Sequence, residues 1–245
     1  MIGRELSIIQ HLAELRRRVF ISVLAILAGT VVAFAFWEDI LKVLVRPAGD
    51  VQLIAIEVTE VLATAVKISF ITGFALAFPV ILFQVVMFLA PGMTNREKRY
   101  LFAFLPGGIL AFAAGVAFGY FGLVPPTLKF LIGFGGEIVR TEPRVSNVVN
   151  VTIRLLLGMG LAFQTPLVMY LLAQLGLVNV RMLGRFRRYW LVVAFILGAI
   201  ITPTVDPIYQ VAVAAPLVVL YELGILLARL AERSRRASQA ATPSS

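Results

Sequence analysis

The sequence predicts an all-α integral membrane protein with six transmembrane helices, and three observations support this fold class. Hydrophobic residues make up 60% of the 245 residues, and the mean hydropathy is +0.95. Charged residues make up 14%, whereas a soluble domain carries about 25%. The apolar residues also form long runs, and a run of about 20 residues is what a transmembrane helix needs.

Six apolar runs define the predicted spans, at residues 19–37, 67–89, 100–124, 151–175, 189–201 and 208–227. Ahead of the first span, Ile8, Leu12 and Leu15 recur at helical spacing, which indicates an amphipathic helix on the membrane surface. Arg16–Arg18 and the triplet Ala33–Ala35 also resemble the ends of a cleavable signal peptide. The apolar run between them exceeds the usual h-region of about 7–15 residues, which favours a span.

Two long loops and a tail complete the predicted organisation. Residues 38–66 and 125–150 are too long for turns, and Pro125–Pro126 is expected to end the third span. Residues 229–245 are charged and then rich in Ala and Ser, which predicts a basic, disordered cytoplasmic tail. Residues 1–228 are therefore predicted to form one membrane domain.

Lys and Arg are unevenly divided between the two sides of this topology. Segments 1–18, 91–99, 176–188 and 228–245 hold fifteen of the 22 Lys and Arg residues, and the other side, with much longer loops, holds seven when the flanking Lys67 and Arg154 are included. Cytoplasmic segments carry the positive excess in membrane proteins. Both termini are therefore predicted to be cytoplasmic, and the two long loops are predicted to lie outside.

The fifth and sixth spans are expected to be short. The fifth has about 13 residues, which reach roughly 20 Å at ~1.5 Å per residue. A bilayer has a hydrocarbon core of about 30 Å. We expect such a hairpin to thin the bilayer locally or to lie beside a partner protein.

The residue inventory excludes several kinds of chemistry. The chain has no Cys and one His, so disulfides, iron–sulfur clusters and His-based metal sites are not expected. It has no Gly-rich phosphate loop followed by Lys-Ser or Lys-Thr. No catalytic group of residues is recognisable, so neither an enzyme nor a cofactor is predicted. The net charge of +9 is attributed to topology and to binding of membrane lipids, not to nucleic acid.

Two acids stand out among basic residues, and each has two interpretations. Glu97 follows Thr94 at the spacing of a helix capping box, and it is also a carboxylate that could accept a guanidinium at two points. Glu14 lies four residues before Arg18, a helical pair worth a few tenths of a kcal/mol. On the second interpretation, Glu14 and Glu97 form one receptor for a cationic peptide.

Polar residues in the spans and turns also have two interpretations. Gln164 lies within the fourth span and should face other helices or a partner protein, or simply form an interhelical hydrogen bond. Gln84 in the second span is interpreted in the same way. Asp206, in the turn before the sixth span, is either a helix cap or a functional acid.

An ordered set of motifs is similar to the TatC family, the core of the twin-arginine protein translocase. His11-Leu-Ala-Glu-Leu-Arg-Arg-Arg18 resembles the N-terminal HLxELRxR signature of that family. The further matching segments are Pro47, Phe78–Gly92 with the acid of Arg96–Arg99, Gly160–Pro166, Arg185–Trp190 and Thr202–Pro207. The resemblance covers residues 8–228.

The resemblance implies a concave, glove-like bundle of six spans in the plasma (inner) membrane of a prokaryote, with both termini in the cytoplasm. Such proteins bind twin-arginine signal peptides and export folded proteins with the proton-motive force. They assemble with the single-span partners TatA and often TatB, and the chain is expected to form a homo-oligomer within a larger complex.

The resemblance also implies roles for particular residues. The residues expected at the signal-peptide site are Glu14, Glu97, Arg16 and Leu12. Those expected in a partner-binding or intramembrane polar region are Gln164, Thr202, Gln210 and Asp206. Those with structural or functional importance are Pro47, Phe88, Pro79 and Pro166. Family members often have Glu at the position of Gln164, and because Gln does not ionise, we expect polarity and hydrogen bonding there rather than a proton relay.

A small-solute secondary transporter is the rival interpretation. It would require ionisable residues near mid-membrane and broken helices that face a cavity. The fourth span offers Gln164 in place of such an acid, so the sequence favours the translocase.

Overall fold

The computed structural model describes residues 2–49, 51–90, 95–134, 142–202 and 207–240. In that part of the chain the all-α prediction is confirmed. The helices are α1 (Ile2–Ala35), α2 (Trp37–Val45), α3 (Glu60–Leu89), α4 (Asn95–Phe118), α5 (Val124–Gly133), α6 (Val145–Ala162), α7 (Thr165–Gln174), α8 (Val180–Ile201) and α9 (Pro207–Ala240). A single β-bridge among these residues joins Ile54 to Arg144.

Five stretches of the described residues are long and apolar enough to cross a membrane. They are Gln10–Ala35, Glu60–Leu89, Tyr100–Gly133, Val145–Gln174 and Gln210–Arg233. These stretches correspond to predicted spans one, two, three, four and six, so the chain is a multi-pass membrane protein. Helix α8 corresponds to the fifth span but carries four Arg residues in its first half. The number of six transmembrane spans therefore stays a prediction.

The third span continues past its predicted end, and the fourth begins before its predicted start. Helix α4 passes through a π-helical segment, Gly119–Leu123, directly into α5. Pro125 and Pro126 follow that π-helical segment as the second and third residues of α5, where the regular i to i−4 hydrogen bonds are already interrupted. The prediction that these prolines end the helix is therefore wrong, and the predicted loop 125–150 is helical at both ends.

The fourth span is interrupted where it was predicted to be continuous. Helix α6 ends at Ala162, a turn follows at Phe163 and Gln164, and α7 begins at Thr165. Pro166 lies in the first turn of α7. Because proline lacks an N–H and clashes with the preceding turn of a continuous helix, its position explains the interruption.

The predicted lengths at the C-terminal end need correction. Helix α8 has 22 residues and begins at Val180, where Asn179 caps its N-terminus by accepting a hydrogen bond from Met182 N–H at 2.8 Å. The apolar stretch of α9 has 24 residues and reaches about 36 Å, so the prediction of a short sixth span is wrong. The expected disorder from residue 229 is also wrong as far as Ala240, because α9 continues there.

Close packing joins the C-terminal half of α9 to α7 and α8. Ala228 and Ala231 are fully buried against Ala173 of α7. Glu232 accepts a hydrogen bond from Val180 N–H, at 2.6 Å. Small side chains allow α7 and α9 to approach closely. The Glu232 carboxylate accepts from an N–H group in the first turn of α8, and such a group has no acceptor within its own helix.

Two compact units make up the chain, residues 1–43 with 57–105 and residues 44–56 with 106–245. In the first unit, α1 packs along α3, with Gly29 against Gly73. In the second, α7 and α8 both pack on α9, and a core of Leu128, Leu155 and Met159 lies among α5 and α6. The single domain over residues 1–228 stays a prediction.

Candidate functional site

The first unit holds a hydrogen-bonded group of three polar side chains. Arg18 donates from Nε and Nη2 to Oε1 of Glu14, at 3.1 and 2.6 Å. Its third nitrogen, Nη1, donates to Oε1 of Gln84 at 3.1 Å. The side chains of Arg18 and Glu14 are 19% and 28% exposed, and Gln84 is buried. This group links α1 to α3.

The local sequence explains half of this geometry. Glu14 and Arg18 lie four residues apart on α1, so they share one face of the helix, and the predicted i,i+4 pair is confirmed. Gln84 lies 66 positions further along the chain, and only the packing of α3 on α1 brings it to the pair. The signal that pointed to Gln84 was a polar side chain within an apolar span.

A cavity of about 600 Å³ lies beside these three residues. Its lining comes from two helices, namely Ala13, Glu14, Arg17, Arg18 and Ile21 of α1 and Phe83, Gln84 and Met87 of α3. One wall is therefore charged and the other is largely apolar. Glu14 is the one acid among its lining residues, which also include two arginines, Arg17 and Arg18.

The other predicted signal-peptide residues lie on the same two helices. Phe88 of α3 is half-buried and its ring stacks on His11, with ring centroids 4.4 Å apart. Leu12 and Arg16 are exposed on α1. The structure therefore places Glu14 and Phe88 in packed positions and leaves the side chains of Leu12 and Arg16 on the surface.

Glu97 belongs to the first turn of α4, which begins at Asn95. The side chain of Glu97 and the whole of Thr94 lie outside the described residues, and so the predicted capping box is untested. Pro79 is half-buried inside α3. Pro47 is half-buried within the short 3₁₀ turn of residues 46–48.

The hairpin of α8 and α9 holds two of the predicted polar residues. Thr202 is buried and donates from Oγ1 to the carbonyl of Gly198 at 2.7 Å. Gln210 donates from Nε2 to the carbonyl of Phe195 at 2.9 Å. Each side chain therefore binds the last two turns of α8. Asp206 lies outside the described residues.

Gln164 occupies the break between α6 and α7. Its Nε2 donates to the carbonyl of Gly108 on α4, at 3.0 Å, which is the interhelical hydrogen bond expected as one of its two interpretations. Its Oε1 is buried without a partner among the described residues. An uncharged amide can make this contact without placing a charge in the span.

A pair of substitutions tests what Gln164 contributes. We expect Gln164→Leu to lower the free energy of unfolding by about 1 kcal/mol, the usual net worth of one hydrogen bond. Gln164→Glu should retain the contact and export activity, because a neutral carboxyl also has one O–H donor. Thermal unfolding in detergent and an export assay measure both. Loss of export in Gln164→Glu would contradict the view that polarity suffices at this position.

A second cavity, of about 470 Å³, lies in the other unit beside α5 and α6. Arg144, Arg154 and Glu142 are among its lining residues, and none of the predicted site residues is. Within the residues that the structure describes, no group of three or more His, Cys, Asp or Glu side chains could hold a metal ion. Of these two cavities, the one beside Glu14 is therefore the one that includes a predicted site residue.

The fold defines a multi-pass helical membrane protein, its candidate site holds a partly buried carboxylate paired with an arginine, and comparisons with known proteins identify its family. The family model "Sec-independent protein translocase protein (TatC)" matches residues 10–216. The chain belongs to the TatC family. This membership displaces the rival interpretation of a small-solute transporter.

Relatives and a solved structure agree with this assignment. The TatC protein of Aquifex aeolicus is 39% identical over 238 residues, which cover 95% of this chain and 98% of that protein. The TatC protein of Carboxydothermus hydrogenoformans is 36% identical, with 94% and 95% covered. A crystal structure described as the twin-arginine translocase receptor TatC superposes with a TM-score of 0.82 at 39% identity, covering 90% of this chain and 99% of that one.

Proposed function

We propose that this chain is the receptor subunit of a twin-arginine protein translocase, and that it binds twin-arginine signal peptides at Glu14 and Glu97. The observation that carries the proposal is the Glu14 carboxylate, which already binds one guanidinium beside an open cavity. A second guanidinium from a signal peptide is the same chemical group in the same surroundings.

The cavity also suits the rest of a signal peptide. Its α1 wall holds Glu14 together with Ile21, and its α3 wall holds the apolar side chains of Phe83 and Met87. A twin-arginine motif followed by an apolar stretch would meet these walls in turn. Glu97, at the start of α4 in the same unit, is the proposed second carboxylate, and Leu12, Arg16 and Phe88 are proposed to surround the peptide.

The remaining assignments follow from family membership and the sequence. We propose six spans in a concave bundle, in the prokaryotic inner membrane, with both termini in the cytoplasm where an export signal arrives. TatA and TatB are proposed to pack near Gln164, Thr202, Gln210 and Asp206, and the proton-motive force is proposed to drive export. The exposed apolar surface of α8, including Leu191 and Ile196, would be covered by lipid or by such a partner.

A crosslinking experiment tests the receptor role. The purified chain is offered a photoreactive signal peptide with Arg-Arg and the same peptide with Lys-Lys. We expect strong capture of the first and weak capture of the second, because a guanidinium binds a carboxylate at two points whereas an ammonium is a point charge. Equal capture of both peptides would refute the proposed function.

A further inference from the structure

The cavity of about 470 Å³ beside α5 and α6 combines positive charge with an apolar wall. None of its lining residues belongs to the cavity beside Glu14. We propose that it binds one anionic phospholipid, with the lipid phosphate at Arg144 and Arg154 and an acyl chain along α5. This lipid site is separate from the site proposed for signal peptides.

Arg154 is an exposed charge inside an apolar stretch. It lies nine positions after Val145 in Val145–Gln174, a stretch that is long and apolar enough to cross a membrane. Of the ion pairs in the described part of the chain, none involves Arg154 or Arg144. A charged side chain within a span is costly unless it is paired or reaches the membrane surface. The phosphate of a lipid supplies such a partner.

The position of Arg154 directs its side chain toward the polar end of the cavity. Side chains on a helix tilt toward the helix N-terminus, and long basic side chains extend toward the membrane surface. Asn147 and Val151 precede Arg154 on the same face of α6, at spacings of four and three residues, and all three line the cavity. The guanidinium of Arg154 is therefore directed along α6 toward Asn147 and Arg144.

Main-chain hydrogen bonds fix Arg144 at that polar end. Ile54 N–H donates to the carbonyl of Pro143 at 3.2 Å, and Val145 N–H donates to the carbonyl of Ile54 at 3.1 Å. Arg144 is also the N-cap residue of α6. These bonds use only main-chain atoms, so the exposed guanidinium of Arg144 is available to a ligand.

Helix α5 supplies the apolar wall of the cavity. Leu128, Leu131 and Ile132 are lining residues, and their spacing of three and four residues places them on one face of the helix. Leu131 and Ile132 are half-buried, so their side chains still offer apolar surface. An acyl chain packed on this wall would continue from the membrane interior to a phosphate at the two arginines.

The charges of the lining favour an anionic lipid over a zwitterionic one. Arg144, Arg154 and Glu142 are its charged residues, and together they carry one net positive charge. A phosphate accepts two hydrogen bonds from a guanidinium at once, and a lipid with one net negative charge balances this lining. A zwitterionic lipid leaves the positive charge unbalanced, because its ammonium cancels the charge of its phosphate.

Lipid titration followed by native mass spectrometry tests the site on the full chain in detergent. We expect one tightly bound phosphatidylglycerol, and binding of phosphatidylcholine with the same acyl chains that is weaker by at least roughly fivefold, the effect of about one charge at an anionic lipid. Glycerol phosphate, which has the phosphate without the chains, should not bind at these concentrations. Equally tight binding of phosphatidylcholine or of glycerol phosphate would overturn the proposal.

Replacing both arginines by Gln should weaken binding of phosphatidylglycerol roughly 30-fold, from about fivefold for each basic residue. The matched control is Arg181→Gln with Arg185→Gln, because these exposed arginines of α8 lie outside the cavity and carry the same charge. The control should leave binding unchanged, and thermal unfolding reports whether each variant is folded. Unchanged binding in the folded Arg144→Gln, Arg154→Gln variant, or an equal loss in the control, would contradict the site.

A crosslinking measurement locates the lipid on the unaltered chain, and so it decides the matter even if the double variant does not fold. The probe is phosphatidylglycerol with a photoreactive acyl chain, and crosslinked peptides are identified by mass spectrometry. We expect a crosslink to α5 that excess phosphatidylglycerol displaces and excess phosphatidylcholine does not. Crosslinks that leave out α5, or that both lipids displace equally, would refute the assignment.

Discussion

Replacing Glu14 and Glu97 together by Gln should weaken binding of an Arg-Arg signal peptide by at least about 100-fold. A hydrogen bond to a charged group contributes about 1.5–3 kcal/mol, and each 1.4 kcal/mol is a factor of about ten in affinity. Each single substitution should therefore cost roughly 10–100-fold. Peptide titration against the purified chain measures all three variants.

Gln is the informative replacement at Glu14. It has nearly the same shape as Glu and keeps an oxygen that can accept from Arg18, whose bonds are to Oε1. The substitution thus removes the charge while the packing of α1 against α3 remains. Any loss of binding then reports on the charge and not on a displaced helix.

A control acid is available in the other unit. Glu222 accepts a hydrogen bond from Arg187 at 2.6 Å, and both side chains are about half-exposed. Glu222→Gln removes a comparable ion pair far along the chain from the candidate site, and peptide binding should not change. Undiminished binding of the Arg-Arg peptide in the double variant would mean that Glu14 and Glu97 do not bind its arginines.

Local rules were enough to predict the parts of this protein that depend on neighbours in sequence. Long apolar runs predicted the membrane-crossing helices, and five of the six appear as stretches capable of crossing a membrane in the described residues. The Glu14–Arg18 pair was also predictable, because a separation of four residues places two side chains on one helical face.

Tertiary contacts decided what the sequence could not. Gln84 lies at the site because α3 packs on α1. Its position as a polar residue in an apolar span did not predict that it accepts a hydrogen bond from Arg18, 66 positions away. The contact of Ala228 and Ala231 of α9 with Ala173 of α7 likewise joins residues that are far apart in the sequence. Pro125 was misread because proline usually ends a helix when it lies in the interior, whereas here it follows a π-helical segment that the sequence pattern did not predict.

Gly73→Leu should both destabilise the first unit and weaken peptide binding. A Cβ on Gly73 would lie 2.6 Å from Oγ1 and 2.7 Å from Cα of Thr30, and a Cβ on Gly29 would lie 2.7 Å from the carbonyl oxygen of Gly73. The backbones of α1 and α3 are thus in direct contact here. Overpacking of this kind costs about 1–3 kcal/mol, which thermal unfolding in detergent would detect.

The effect on binding follows from the helical repeat. Arg18 lies eleven residues before Gly29 on α1, and Gln84 lies eleven residues after Gly73 on α3. Eleven residues are close to three turns of about 3.6 residues, so the glycine contact and the Arg18–Gln84 hydrogen bond lie on the same faces of the two helices. Separating the helices at the glycines should lengthen that hydrogen bond and loosen the Glu14 site.

Gly184→Leu is the matched control, because a Cβ at Gly184 on α8 meets nothing within 4 Å. There the change should be neutral or stabilising by up to about 1 kcal/mol, since Leu favours the helix over Gly, and peptide binding should be unchanged. If Gly73→Leu lowered stability but left binding of the Arg-Arg peptide intact, peptide binding would not depend on the close approach of α1 and α3.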